Sequence, residues 1–586
     1  MIPKAKISES IHQYSLMLLF FVLSFGYFLR FGNYILFFQE NQSLFPFSGE
    51  YLHDFLIKPG GLLVYSGKFL TQFYHNEFTG AFILSVLLTG IYYLSIKLLG
   101  FLKSDQPFAR LIALVPACCL VLMQSHYYHF MEANLGIFFI LLFLIASIYL
   151  QSKKVGFLVP VLFPAFYYLA GAFAWIFAAA HVTYLVFFAK GKQKYLYSVI
   201  LIVLSFLLIF ISGKLFFQPK SLLISYPIHT INDTMYRIIF YVLAGYFILL
   251  FPLSKLWPNN KLAGTWIATA GSLAFLLLTG FGLYKNYNPQ TDRVLQAEKY
   301  VYEQKWDDAI RFSEKYPSGN LIGQYYSNIA LSESGQLCDK LFASRQNFGV
   351  NSLILPWGNE HLSFGADFYY AIGLVNEAHR WAYEDMVVNG QKPANMKMLV
   401  KTNLINGNFR MAQKYIDILK RTHYYKAWAS EYEKLATDTA LINSNAELKR
   451  QRQNMPKGDF FIQVSSPQNN IPLLLEANPT NKRAFEYKMA WLLLSKDIEG
   501  IVNQIKSLKA LGYTRIPHHI EEAAMIYYNA KGAFPDLGGL SVSNETLARF
   551  DQYVAAFKAN RQNMSLAKER LGALFGNTFM YFYHFN

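Results

Sequence analysis

Residues 195–216 read YLYSVILIVLSFLLIFISGKLF, a run whose one charged residue, Lys214, stands near its end. An α-helix needs about 20 apolar residues to cross the hydrocarbon core of a bilayer, so this run is long enough to span a membrane. Similar runs recur through residue 284 and then stop. The sequence therefore predicts an all-α protein with a transmembrane domain over residues 1–284 and a soluble helical domain over residues 285–586.

The apolar runs predict a polytopic bundle of about nine membrane helices. They lie near residues 14–37, 79–98, 109–124, 135–151, 156–171, 172–189, 195–216, 235–252 and 264–284. The stretch 156–189 fits either two short helices that turn at Gly171 or one long broken helix.

Composition supports a chain that is part membrane and part soluble. Hydrophobic residues make up 53% of the 586 residues and charged residues 15%, against about 25% charged in a typical soluble domain. This excludes a disordered chain and an ordinary soluble enzyme. The net charge is +16, and its basic excess lies mainly in the apolar half, which indicates attraction to acidic lipid headgroups rather than nucleic-acid binding. Three cysteines, Cys118, Cys119 and Cys338, form neither a disulfide framework nor a zinc spacing.

Loop charges predict the orientation in the membrane, because cytoplasmic loops are rich in Lys and Arg. Alternate connections carry the bases Lys4, Lys6, Lys97, Lys103, Arg110, Lys153, Lys154, Lys190, Lys192, Lys194, Lys255 and Lys261. The opposite connections carry the acids Glu40, Glu50, Asp54, Glu77, Glu132 and Asp233. The alternation holds if 156–189 crosses twice. We expect a multi-pass inner (plasma) membrane protein with a cytoplasmic N-terminus, an uncleaved first helix and an extracytoplasmic C-terminal domain.

The soluble half shows a period of 34 residues. Tyr370, Gly373, Val375 and Ala378 recur as Leu404, Gly407, Phe409 and Ala412, and Trp306–Ala309 lies about two periods upstream of 375–378. This helix-turn-helix period resembles that of tetratricopeptide repeats. The resemblance implies a helical solenoid whose surface binds a protein or glycan partner. Residues 440–480 interrupt the pattern and predict a loop or an inserted element.

The first outer loop holds the candidate catalytic residues. Ser48 can cap a helix in which Glu50 and Asp54, four residues apart, share one face. Two such carboxylates can act as a general base or hold a divalent metal ion. The amphipathic run 62–74 that follows is too short to span and predicts a helix along the membrane surface. The alternative is a solvated loop whose acids keep it out of the bilayer.

This layout resembles the GT-C class of integral-membrane glycosyltransferases, in which an acidic motif follows the first membrane helix on the outer side. Glu50 and Asp54 stand where that motif would be, and Lys58-Pro59-Gly60-Gly61-Leu62 stands where a proline segment would be. The sequence departs from the pattern in having no adjacent acidic pair and in replacing Pro-Pro by Pro-Gly-Gly. The resemblance implies sugar transfer from a polyprenyl-phosphate donor, with Glu50 or Asp54 as the base and Lys58 as a substrate-binding residue. The whole chain also resembles an uncharacterised family of Bacteroidetes membrane proteins.

The second outer loop contains His126, His129 and Glu132 at three-residue spacing. One helical turn would bring His129 beside both neighbours, so the cluster can bind a metal or a phosphate, or shuttle a proton. The histidines are candidate substrate-binding residues and Glu132 is a candidate metal ligand. The alternative is an interfacial belt of aromatic residues with polar tips.

Three bases near outer helix ends are further candidates for substrate binding. They are Arg30, Lys214 and Arg237. Charges inside a membrane are costly, and cationic side chains bind phosphate, so these residues could hold the phosphate of a lipid carrier. The alternative is that their long side chains extend to lipid headgroups.

Three functions follow from these patterns. The leading prediction is a GT-C-like glycosyltransferase at the outer face of the inner membrane. The others are a non-enzymatic scaffold whose repeats bind envelope partners, and a lipid or polysaccharide transport component. No phosphate-binding G-x-x-x-x-G-K-[ST] loop, G-x-S-x-G elbow or H-E-x-x-H motif occurs in the chain.

Overall fold

A computed structural model describes residues 4–101, 107–230, 234–255, 264–456, 458, 462–463 and 466–586. Of the charged loop residues named above, Lys103, Asp233 and Lys261 lie outside the described residues. The described part of the chain is all-helical and contains no β-strand. It divides into two compact units, Met1–Tyr287 with Arg421–Tyr424, and Asn288–Lys420 with Tyr425–Asn586.

Thirteen α-helices are described in the first unit. They are α1 (Lys4–Arg30), α2 (Asn33–Asn41), α3 (Gly49–Leu56), α4 (Gly61–Thr71), α5 (Glu77–Phe101), α6 (Pro107–Gln124), α7 (Met131–Ser152), α8 (Leu158–Ala170), α9 (Phe173–Phe188), α10 (Gln193–Leu215), α11 (Lys220–Ser225), α12 (Thr234–Ser254) and α13 (Gly264–Asn286). Each of the nine predicted apolar runs falls on helix.

Four helices are long and apolar enough to cross a membrane: α5, α7, α10 and α12. A fifth span is possible if α1 and α2, which are bent by 68° at their junction, cross together. The sequence predicts one continuous helix over 14–37, whereas the structure interrupts it at Phe31–Gly32. A β-carbon on Gly32 would lie 2.9 Å from the Phe28 ring, so the tight break needs the glycine. The nine-span count stays a prediction.

The core of the first unit runs through α5, α6 and α7. Leu84, Leu88 and Ile91 lie on one face of α5 and are fully buried. The 156–189 stretch is two helices, α8 and α9, that turn at Gly171, as one of the two interpretations predicts. Gly171 has φ +58°, a conformation that favours glycine.

Seventeen α-helices are described in the second unit. They are α14 (Pro289–Tyr302), α15 (Trp306–Lys315), α16 (Leu321–Glu333), α17 (Leu337–Lys340), α18 (Ala366–Ile372), α19 (Val375–Asn389), α20 (Pro393–Ile405), α21 (Phe409–Lys420), α22 (Lys426–Thr437), α23 (Ala446–Asn454), α24 (Asn470–Ala477), α25 (Lys482–Leu494), α26 (Ile498–Ile505), α27 (His518–Lys531), α28 (Asn544–Asn560), α29 (Met564–Phe575) and α30 (Phe579–Phe585).

The 34-residue period has a physical counterpart in this unit. The equivalent positions Trp306, Val375 and Phe409 each begin a helix. The equivalent alanines, Ala309, Ala378 and Ala412, are each buried. Gly373 and Gly407, one period apart, both have positive φ and follow the end of a helix. The match to tetratricopeptide repeats in particular stays a prediction.

Candidate functional site

The Pro59-Gly60-Gly61 segment of the first loop packs against the turn between α8 and α9. The Gly60 N–H donates a hydrogen bond of 2.8 Å to the Tyr168 carbonyl. A β-carbon on Gly60, whose φ is +80°, would lie 3.0 Å from Gly171 Cα, and one on Gly61 would clash with the Phe55 carbonyl. The two glycines therefore let the loop approach this turn and fix where α4 begins.

Residues 226–227 also pack against the turn between α8 and α9. The Ala172 N–H donates a 2.8 Å hydrogen bond to the Tyr226 carbonyl. The Tyr168 hydroxyl donates to the Leu56 carbonyl at 2.9 Å. Chain segments far apart in sequence thus meet around the start of α4.

Helix α3 forms as predicted and presents the two candidate catalytic acids to solvent. The Ser48 hydroxyl accepts a 3.2 Å hydrogen bond from the Tyr51 N–H and caps the helix. The Glu50 side chain is 94% exposed, and its carboxylate lies 3.8 Å from the Arg421 guanidinium. Asp54 is also exposed. Both acids therefore face water and are not enclosed.

Five aromatic rings pack together between α3 and α4. Ring centroids of Phe45 lie 5.4 Å from Tyr51, 5.0 Å from Tyr65 and 5.6 Å from Phe69, while Tyr65 and Phe55 are 5.6 Å apart. Such contacts favour a rigid cluster. The first outer loop is therefore an ordered structure around the side chains described next.

Two lysines lie within this frame. Lys68 Nζ donates a 3.0 Å hydrogen bond to the Ser43 hydroxyl, and burial lowers the pKa of this lysine. Lys58 Nζ stands 4.5 Å from the centroid of the Tyr226 ring, and burial lowers the pKa of Lys58 as well. Both ammonium groups are therefore partly desolvated.

Glu132, at the start of α7, faces Lys68. Gly67 packs so tightly on Glu132 that a β-carbon there would lie 2.9 Å from the Glu132 backbone nitrogen. The Glu132 side chain is buried, and its negative charge favours the charged form of Lys68. Burial raises the pKa of Tyr226, and the charge of Glu132 raises it further. Asp54 acts on Lys58 in the same way, favouring its charged form. We call Lys58, Lys68, Glu132 and Tyr226 the Lys68 site.

The second outer loop folds differently from the predicted helical turn. Residues 125–128 form turns, residues 129–130 are irregular, and the helix begins only at Met131. The Gln39 side-chain amide donates hydrogen bonds to the carbonyl oxygens of Tyr127 and His129, at 3.2 and 2.7 Å. These carbonyls therefore bond to a side chain instead of to helical N–H groups. The expectation of one helical turn over His126, His129 and Glu132 is therefore wrong.

His129 belongs to a buried polar network. Its Nε2 lies 3.0 Å from Asn134 Oδ1, the Asn134 amide donates to Gln124 Oε1 at 2.7 Å, and the Gln124 amide donates to Gln39 Oε1 at 3.2 Å. Burial lowers the pKa of His129 to about 4, so the ring is neutral at pH 7. The network joins α2, α6 and α7, and its buried side chains hydrogen-bond to one another.

The remaining predicted residues are dispersed. The His126 ring packs at a tilt of 34° against the ring of Tyr236, the residue before Arg237 on α12, with centroids 4.7 Å apart. Arg30, Lys214 and Arg237 are all exposed at helix ends. Within the described residues, His126, His129 and Glu132 do not form a three-ligand metal cluster. Of the predicted residues, Lys58 contacts the Tyr226 ring, Glu132 acts on that same tyrosine, and Asp54 acts on Lys58, whereas the others lie apart.

Comparison of the sequence with known protein families gives one match. DUF6057, a family of unknown function, matches residues 9–586. The chain belongs to the DUF6057 family. No curated protein and no solved structure matches it.

Sequence reasoning on this DUF6057 protein missed Lys68 and Tyr226. The signal for Lys68 was present, because it is the one charged residue of α4, GLLVYSGKFLT. A lone charge in an apolar amphipathic segment needs a partner or a ligand. Tyr226 carried no comparable signal, since only the fold brings it to Lys58.

The Lys68 site is suited to binding an anion. Two ammonium groups can donate charge-assisted hydrogen bonds, and the tyrosine ring keeps one of them oriented. Glu132 adds one buried carboxylate that could accept a proton or bind a metal ion.

Proposed function

We propose that this protein is a GT-C-like membrane glycosyltransferase that takes a sugar from a polyprenyl-phosphate donor at the outer face of the inner membrane. The Lys68 site would hold the phosphate of the donor. The observation that carries the proposal is the pair of partly buried lysines, Lys58 and Lys68, beside the buried carboxylate of Glu132.

The charges of the site favour a phosphate ligand. Burial weakens the charged form of both lysines, and the charge of Lys58 also disfavours that of Lys68. The phosphodiester of the donor carries one negative charge and the phosphate monoester released by transfer carries about two, so either would favour the charged form of the lysines and supply acceptors for their N–H groups. A neutral ligand would do neither.

Glu132 is better enclosed for proton abstraction than the two acids of α3. A general base works best where water is excluded, and Glu132 is buried whereas Glu50 and Asp54 face solvent. We assign Glu132 the role of base or metal ligand. Asp54, which acts on Lys58, would orient the donor, and Glu50 would be dispensable.

Transfer of a labelled sugar from a short-chain polyprenyl-phosphate donor, measured with the full chain in lipid nanodiscs, tests the proposal. Lys68→Met and Glu132→Gln should each lower the rate at least 100-fold, and Asp54→Asn by about tenfold. Glu50→Gln and the exposed control Lys214→Met should stay within twofold. Envelope glycans that are unchanged in cells carrying Lys68→Met or Glu132→Gln, at normal protein levels, would remove the enzymatic proposal.

A scaffold function is the second candidate, and one observation favours it. Tyr383, Val387 and Val388 of α19 are 46%, 64% and 59% exposed, an apolar patch on the second unit. A protein or glycan partner in the envelope could cover this patch. Val387→Asp with Val388→Asp should then release the partner in cross-linking experiments while sugar transfer is unchanged.

A further inference from the structure

His518, His519 and Glu522 form a compact cluster at the start of α27. His518 Nε2 lies 3.2 Å from Glu522 Oε1, and His519 Nδ1 lies 3.1 Å from Glu522 Oε2. One ligand atom from each residue lies within 4.8 Å of the other two. Two ligands bound to one transition-metal ion, each about 2.0–2.2 Å from it, stand about 3–3.5 Å apart, so each histidine lies at a fitting distance from one oxygen of Glu522, and small side-chain rotations would bring the three ligand atoms around one ion.

A buried and incompletely satisfied carboxylate distinguishes this cluster from a surface ion pair. The Glu522 side chain is fully buried, and His518 Nε2, at 3.2 Å in an ion pair, is the one partner that the described residues give its Oε1. A buried carboxylate oxygen with a single, imperfectly aligned partner costs free energy. Oε1 points toward the same space as the His518 ring.

The surroundings hold the three side chains in place. Asp339 accepts a 2.8 Å hydrogen bond from the His518 N–H and fixes the start of α27. Glu522 Oε2 accepts a 2.6 Å hydrogen bond from the Phe579 N–H, the first residue of α30. The Phe342 N–H donates to His519 Nε2 at 3.4 Å, so the ring carries its proton on Nδ1, which faces Glu522 Oε2.

We propose that His518, His519 and Glu522 bind one divalent transition-metal ion, with Zn²⁺ as the best fit to two imidazoles and one carboxylate. The ion takes His518 Nε2, His519 Nδ1 and Glu522 Oε1. It moves the ring proton of His519 from Nδ1 to Nε2, so Nε2 no longer accepts the long hydrogen bond from the Phe342 N–H. Since Glu522 also holds the start of α30, the ion strengthens the connection between α27 and the C-terminal helix.

Zn²⁺ titration of the metal-stripped full chain in detergent tests this site. We expect one ion per chain with a dissociation constant in the micromolar range or below, and slower proteolysis of residues 579–585 when Zn²⁺ is bound. His518→Asn should weaken binding at least 30-fold and remove the protection. The exposed control His53→Asn should change neither.

Two further measurements keep the test decisive. The visible spectrum of bound Co²⁺ should show nitrogen and oxygen ligands, whereas thiolate bands would assign binding to the cysteines and overturn the proposal. Glu522→Gln could fail to fold, because Glu522 holds Phe579, so His518→Asn, at the first residue of α27 and partly exposed, is the deciding variant. No stoichiometric binding by the wild type, or equal binding by His518→Asn, would contradict the site.

Discussion

Gly67 of α4 lies so close to Glu132 of α7 that a β-carbon on the glycine would stand 3.1 Å from Oε2 of the glutamate. This contact brings a buried carboxylate next to Lys68, the following residue of α4. The approach of two helices, rather than any local motif, therefore creates the Lys68 site.

Gly67→Ala tests this contact. The added methyl group also meets the backbone nitrogen of Glu132 at 2.9 Å, so the helices must separate, at a cost of about 1–3 kcal/mol. We expect a lower midpoint of thermal unfolding in detergent and a loss of sugar transfer. Gly245→Ala on α12, where a β-carbon would contact nothing within 4 Å, is the matched control and should be neutral. Equal stability of the two variants would show that α4 does not pack as described.

The His129 network predicts an acid-sensitive first unit. Burial lowers the folded-state pKa of His129 from 6.5 to about 4, so the unfolded chain binds the proton more tightly. This contribution to stability is therefore present above pH 6.5 and is lost as the pH falls from 6.5 to 4, by about 3 kcal/mol. Midpoints of thermal unfolding measured across this range should fall with decreasing pH in the wild type, and should fall less steeply in His129→Gln. His53→Gln, at an exposed position of α3, should retain the wild-type slope.

The second unit should respond to pH in the opposite direction. Burial and the charge of Asp367 raise the pKa of Glu298 to about 8, and burial raises that of Asp367 to about 7. The folded state then binds protons that the unfolded chain releases, so stability is full below about pH 4.5 and falls as pH rises toward 8.

Glu298→Gln keeps position 298 neutral at every pH. The free energy of unfolding at pH 9 should therefore fall by roughly 1–2 kcal/mol less than in the wild type. Protease cleavage rates of peptides from residues 288–420 in the full chain give the measurement. Glu360→Gln, at a side chain that is 81% exposed, should leave the decline unchanged. A wild type more stable at pH 9 than at pH 6 would contradict the assignment.

The orientation predicted from loop charges can be tested by labelling. In a chain with Cys118, Cys119 and Cys338 replaced by Ser, His53→Cys should react with a membrane-impermeant maleimide in spheroplasts. Lys153→Cys should react only after the membrane is permeabilised. Both positions are exposed, so access is decided by the side of the membrane alone. The reverse labelling pattern would place the Lys68 site in the cytoplasm.

Local chemistry made part of this structure predictable. The apolar runs indicate the helices of the first unit, Ser48 caps α3 as its position suggests, and Gly171 separates α8 from α9. These features depend on neighbouring residues, which the sequence displays directly.

Features set by distant contacts were not predictable in this way. His126, His129 and Glu132 have helical spacing, yet Gln39, about 90 residues away, binds the loop carbonyls and prevents the helix. Glu50 and Asp54 share a helix face as expected, but only the fold shows that this face is solvent-exposed. Likewise, Lys68 meets Glu132 only because Gly67 allows α4 to pack on α7.

Binding of a short-chain polyprenyl phosphate to the full chain in nanodiscs tests the central claim most directly. Lys68→Met should weaken binding at least tenfold, about 1.4 kcal/mol, whereas Lys214→Met should change it less than twofold. Glu132→Gln should bind as tightly as the wild type or more tightly, because one negative charge is removed, although it no longer supports transfer. Equal affinity of the wild type and Lys68→Met would contradict the assignment of the Lys68 site to a lipid-linked phosphate.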